Sequence, residues 1–197
     1  MKRKAGAVVK EFLSLQDLSE VEQSCKEIGM RLNGADFVSN CVTFAVEMNK
    51  SDCHLVGGML KHLLSKNIVT VEQAEEALAA TVKGAMEEGL NLDVPLLWYQ
   101  LAQIVAKMYE QLTMRRVVTI ASSASDRDED FRLEFILNVL YLLKEDLSMD
   151  RVVKDWKLHG DWSKFTDDEG IVANKIAEKV NDEQLIEFFK ELQPYLA

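Results

Sequence analysis

Apolar residues recur at spacings of three and four along nearly the whole chain, and that period limits the fold more than any other feature. Leu55, Met59, Leu60, Leu63 and Leu64 form one such stripe. Phe37, Val38, Cys41, Val42, Phe44 and Ala45 form another, and Leu97, Leu101, Ile104, Val105 and Met108 a third. Side chains spaced in this way fall on one face of an α-helix, whereas a half-buried strand would alternate. Two prolines and nine glycines in 197 residues leave little to interrupt helices. The pattern predicts an all-α fold.

Capping residues divide the stripes into elements. A first helix is expected over Ala5–Leu15, with Val8, Val9, Phe12 and Leu13 inward. Asp17 or Ser19 opens a second that ends near Gly29. Asn33 is read as the cap of a third helix reaching Met48, Ser51 as the cap of a fourth over Asp52–Lys66, and Thr70 as the cap of a fifth, with Glu72 and Gln73 in its first turn. In Asn91-Leu92-Asp93-Val94-Pro95, Asp93 reads as the N-cap of a sixth helix, and Pro95 sits where a missing N–H costs nothing. Thr113–Ala121, Phe131–Leu143 and a Ser148-capped Met149–Leu158 follow. Two capping boxes, Thr166 with Glu169 and Asn181 with Gln184, open the last helices. Short loops force antiparallel neighbours, so the expected architecture is an α-solenoid of helical hairpins, with about ten helices of degenerate HEAT-like repeat. No long linker divides it, and residues 1–197 read as one domain.

Composition narrows the function. A net charge of −10 opposes a nucleic-acid surface. Residues 1–120 carry 13 basic and 15 acidic side chains and residues 121–197 carry 10 and 18, so most of the acidic excess lies in the last part. That part suits a basic protein partner. Three cysteines inside helices imply no disulfide framework and point to a reducing compartment. The longest apolar runs are too short to span a bilayer, and Met1-Lys2-Arg3-Lys4 is followed by no apolar signal segment. A cytoplasmic protein without membrane association is expected.

Catalytic chemistry finds little support. His54 and His62 lie eight apart on one predicted helix, but no cysteine or carboxylate stands at ligand spacing beside them. Gly57-Gly58 lies in mid-helix without a preceding strand, so it is no phosphate loop. Asp126–Asp130 and Asp167-Asp168-Glu169 lack the alternation of a calcium loop and read as charges at helix starts. Neither a metal nor a cofactor is expected, and the chain reads as a non-enzymatic binding module.

The residues also carry a resemblance. Leu90-Asn91-Leu92-Asp93-Val94-Pro95 resembles a signature of the MA3 domain, a HEAT-like helical domain of the eukaryotic translation initiation factor 4 gamma scaffold family and of a programmed-cell-death-related translation repressor. Val8-Val9-Lys10-Glu11-Phe12-Leu13, Asp17-Leu18-Ser19-Glu20-Val21 and Phe44-Ala45-Val46-Glu47 look like the family's first helix, its acidic connection and the end of its third helix. These match residues 5–110 in order. In 111–197, the stretch from Trp156 to Phe165 is similar to one that follows the core in the scaffold branch.

The resemblance implies a scaffold role in translation initiation, with the DEAD-box RNA helicase initiation factor 4A as partner and no direct contact to nucleic acid. It implies a helicase-binding acidic edge carried by Glu11, Glu47 and Asp93. The family's usual second acid, four residues before the aspartate, is Gly89 here, and Glu88 stands one place earlier. Glu88 is therefore included in the expected edge. The alternative reading is a relative that has lost helicase binding and uses its acidic C-terminal half for another protein. As an isolated domain it is expected to be a monomer.

Overall fold

Ala5, Val8, Val9 and Phe12 are buried along one face of the first helix, α1 (Lys2–Leu15), which starts before the apolar run that predicts it. The structure, a computed structural model, describes residues 1–48, 50–87, 94, 96–123, 129–161, 164–165, 183–192 and 194. Gln16 ends α1 in the left-handed region, its amide donating to the Phe12 carbonyl at 2.7 Å. Asp17 then caps α2 (Leu18–Ile28), accepting from the amides of Ser19 at 2.8 Å and Glu20 at 3.4 Å. Of the two caps the sequence allows, the aspartate is the one used.

Asn33 does not cap α3. That helix runs Met30–Val46, because Gly29, at φ 78°, closes α2 and opens α3 without a linker. The Asn33 side-chain amide instead donates back to the carbonyls of Gly29 at 3.2 Å and Ile28 at 3.4 Å, serving the end of α2. After α4 (Lys50–Ser65), α5 (Val71–Glu87) opens on a reciprocal capping box. The Thr70 amide donates to Gln73 Oε1 at 3.1 Å, and the Gln73 amide donates to Thr70 Oγ1 at 3.2 Å. Gln73 Nε2 also donates to the Met30 and Arg31 carbonyls, each at 3.3 Å, which ties the cap to the start of α3.

The sixth element, α6, is Leu97–Ala121, with Leu96 at its N-cap position and no side-chain cap. It starts later than the predicted sixth helix. The caps expected there, Asp93 and Pro95, lie outside the described residues. A residue before proline is driven from helical toward extended backbone, which agrees with the helix starting downstream of Val94. At Thr113 the backbone leaves helical values (φ 62°, ψ 156°), so the helix expected over Thr113–Ala121 is the second arm of a kinked element. Next come α7 (Glu129–Asp146) and α8 (Met149–His159), the latter capped by Ser148 Oγ on the Arg151 amide at 3.3 Å, and then α9 (Glu183–Leu192). The expected capping box of Thr166 with Glu169, and Asn181, fall outside the described residues. Among the described residues there are nine helices and no strand, consistent with an α-solenoid close to the expected length.

Alternate helices stack upon one another. α1 packs on α3 and α3 on α5, while α2 packs on α4 and α4 on α6, so the first six helices form two rows. α5 closes on α6, and α6 then packs against α7 and α8, with α9 resting on α7. The middle of this arrangement is α6, whose Leu101, Ile104, Val105, Met108, Leu112 and Val117 are fully buried. Each such side chain contributes roughly 1.5–3 kcal/mol on leaving water, so the row contacts hold the solenoid far more than any surface pair does. Phe135, Ile136, Val139, Leu140 and Leu143 of α7 are buried as their spacing predicts.

Polar bonds stitch the rows at their rims. Arg116 of α6 donates to Glu72 at 2.8 Å and to Glu75 on α5, and Lys61 of α4 meets Glu110 of α6 at 2.5 Å. Tyr109 donates to Asp155 at 2.7 Å, and Arg151 donates to the same carboxylate at 2.8 Å. Burial opposes ionisation of Asp155, yet these two bonds outweigh it and hold the carboxyl below its usual range.

The acidic edge as a candidate docking site

Glu11 stands on the exposed side of α1. It borders a shallow crevice between α1 and α2 whose apolar wall is Val8, Phe12 and Val21 and whose rim includes Leu15, Asp17 and Glu20. Three carboxylates therefore gather at the α1–α2 corner. Asp17 spends part of its acceptor capacity on the α2 cap, and it keeps its charge outward. Sequence spacing does not place Asp17 and Glu20 with Glu11, since they belong to the next helix. The signal was the tight turn at Gln16, which folds α2 back along α1.

Glu47 occupies the C-cap position of α3 and is exposed, its amide donating to the Thr43 carbonyl at 3.2 Å. The two described acidic positions lie on neighbouring helices. Lys10 Nζ sits 5.4 Å from the Phe44 ring centroid, and a Cβ on Gly6 would touch that ring at 3.4 Å, which sets the last turn of α3 against α1. Glu88, Asp93 and Pro95, expected to complete the edge, lie outside the described residues.

Each described acid has an exposed apolar neighbour. Leu15, one turn beyond Glu11, is 61% exposed, and Met48, next to Glu47, is 45% exposed. Single exposed apolar residues are ordinary on a protein surface. An apolar group beside a carboxylate does more, because a partner that covers it also strips water from the charge and strengthens the charged contact. The sequence reading selected the acids alone and missed these neighbours.

Elsewhere the chemistry is structural. His62 Nε2 lies 2.7 Å from Glu22 Oε1, joining α4 to α2 with a carboxylate no local spacing could supply, and that bond draws the Glu22 carboxyl below its usual range. Cys25, Cys41 and Cys53 are buried free thiols. No cluster of three His, Cys, Asp or Glu side chains among the described residues could hold a metal ion. No helix among them is long and apolar enough to cross a membrane.

A two-row helical solenoid with charged and apolar groups paired along an exposed edge has the form of a protein-docking module. The family model for the MA3 domain matches residues 1–114, and the chain belongs to that family. It is similar to eukaryotic translation initiation factor 4 gamma 1 from Mus musculus, 22% identical over 182 residues, which is 91% of this chain and 11% of that protein. It is also similar to eukaryotic translation initiation factor 4 gamma 3 from the same organism, 22% identical over 120 residues, or 60% of this chain and 8% of the relative. The chain thus spans only about a tenth of the length of these curated relatives.

Proposed function

We propose that this domain is a non-enzymatic adaptor in eukaryotic translation initiation that docks the DEAD-box RNA helicase initiation factor 4A in the cytoplasm. The observation that carries the reading is the MA3 match over residues 1–114 together with the exposed Glu11 and Glu47 on adjoining helices within it. The similarity to two initiation factor 4 gamma proteins supports the setting. Glu11, Glu47, Glu88 and Asp93 are the proposed contacts to basic side chains of the helicase. Asp17 and Glu20 extend the charge at the first corner, and Leu15 and Met48 are the apolar contacts that dry it. The helicase supplies the ATP chemistry, and the rigid solenoid supplies position.

Calorimetric titration with purified initiation factor 4A at low and moderate salt tests the proposal. Micromolar or tighter binding that weakens with salt is expected, because exposed charges are screened over about 10 Å at 0.1 M salt. A charge-assisted contact contributes about 1.5–3 kcal/mol, so Glu11→Lys or Glu47→Lys is expected to weaken binding roughly ten- to a hundredfold. Unchanged binding by the folded double variant refutes the acidic edge, and no binding at either salt refutes the partner.

A further inference from the structure

We propose that a second site, the cleft between α4, α6 and α7, seats an arginine side chain of a partner protein. It is independent of the helicase reading, since none of its walls comes from α1, α2 or α3. Its volume is about 320 Å³, at the small end of ligand clefts, which suits one side chain rather than a cofactor.

Side chains that can accept hydrogen bonds line this cleft. Gln103 stands on its α6 wall, and its buried Oε1 meets no donor among the described residues. An unsatisfied buried acceptor is costly, so an incoming N–H that reaches it is favoured. Glu145 and Asp146, both exposed, stand on the rim at the end of α7. Asp146 accepts from Lys107 at 2.7 Å, whereas Glu145 binds no cation directly among the described residues. The cleft therefore holds two carboxylates against one ammonium. Burial first, and then the nearby Lys107 cation, push the His54 pKa down, with Asp146 opposing. In its neutral form the ring carries a lone pair that accepts a hydrogen bond.

Tyr99 and Tyr141 also line the cleft. A set of separated acceptors, a net negative charge and aromatic walls matches a planar cation rich in donors. Guanidinium offers five N–H groups in one plane and packs on aromatic faces, whereas an ammonium is a compact point charge that fills fewer of these acceptors. An anionic ligand would meet Glu145 and Asp146. Free arginine would bring its own carboxylate to the same pair, but an arginine within a chain has that carboxyl in amide linkage. This is why the occupant is assigned to a protein.

The test is a proton–nitrogen NMR titration of the 197-residue chain with Ac-Gly-Arg-Gly-NH₂, its lysine and citrulline analogues, and free arginine. The arginine peptide is expected to shift the Gln103 side-chain amide and the Glu145 backbone amide saturably, with a Kd on the order of millimolar. The lysine peptide should bind more weakly and the uncharged citrulline peptide not at all. Glu145→Gln is expected to weaken binding about fivefold. Gln103→Leu should do the same or more without unfolding the chain, since no internal hydrogen bond of Oε1 is lost. Equal shifts from the citrulline peptide, no shift from the arginine peptide, or unchanged affinity in both variants overturns the site. Free arginine binding as tightly as the peptide overturns the assignment to a protein partner. None of these readouts involves the helicase, so failure here and failure at the acidic edge are separate results.

Discussion

Gly57 and Gly58 are adjacent on α4, yet they should respond oppositely to the same substitution. A Cβ placed on Gly57 would lie 2.9 Å from Lys107 Cβ, 3.0 Å from Ile104 Cα and 3.1 Å from the Ile104 carbonyl oxygen, at the crossing of α4 and α6. Carbon atoms in good contact stand about 3.5–4.0 Å apart, so the new methyl must displace helix backbone rather than a pliant side-chain tip. Overpacking of this kind costs roughly 1–3 kcal/mol, and the better helix propensity of alanine returns about 0.8–1 kcal/mol. Gly57→Ala is therefore expected to destabilise by up to about 2 kcal/mol. A Cβ on Gly58 meets nothing within 4 Å, and the position is exposed. There the propensity gain stands alone, and Gly58→Ala should stabilise by about 0.8–1 kcal/mol. The propensity gain cancels between the two variants, which should differ by about 1–3 kcal/mol, a gap in Tm of roughly 2–12 °C for a chain of this size. Urea denaturation followed by far-ultraviolet circular dichroism measures it. If Gly57→Ala proves as stabilising as Gly58→Ala, α4 and α6 do not approach as closely as described, and the proposed arginine cleft beside Lys107 loses its wall.

Other outcomes follow from single features. Thr70→Ala removes one half of the capping box on α5 and should cost about 1 kcal/mol in urea denaturation, whereas Thr70→Ser should retain most of it. Thr113 holds a backbone conformation that glycine adopts without strain, and such strain costs about 1–3 kcal/mol. Thr113→Gly should thus raise Tm, and a fall would mean that the kink is held by the threonine side chain. Burial pushes the Cys25 and Cys53 thiols up to about 12, and it also raises the fully buried Cys41 thiol well above its ordinary value. Native protein should react slowly with a thiol reagent at pH 8 and expose three fast thiols in denaturant.

The acidic edge was legible in the sequence only as far as its motif. Glu11 and Glu47 were selected through a resemblance, and both are exposed on adjoining helices. Asp17 and Glu20 were read only as a cap and an acidic connection, and Leu15 and Met48 carried no signal of their own, because a lone apolar residue near a helix end is usual on any surface. Their meaning comes from the tight turn at Gln16 and from the packing of α1 on α3. The arginine cleft was less legible still, since its residues come from three helices separated by up to 92 positions, from His54 to Asp146.

By itself the sequence determined the helical class, the buried faces of α1, α3, α4, α6 and α7, and several of the caps. These depend on the 3.6-residue period and on hydrogen bonds within a few residues, both of which are local. Thr70 with Gln73 and Ser148 with Arg151 formed as their spacing required. Asn33 and Glu22 show where local reading stops. Asn33 has the chemistry of an N-cap, but Gly29 joins two helices so tightly that its amide is better used on the preceding carbonyls. Glu22 looks like a solvated charge until α2 packs on α4 and brings His62 within 2.7 Å. Only the tertiary structure decided these partners, because the choice among possible partners depends on which helices meet, and stacking of apolar faces sets that at far larger energies than any single polar bond.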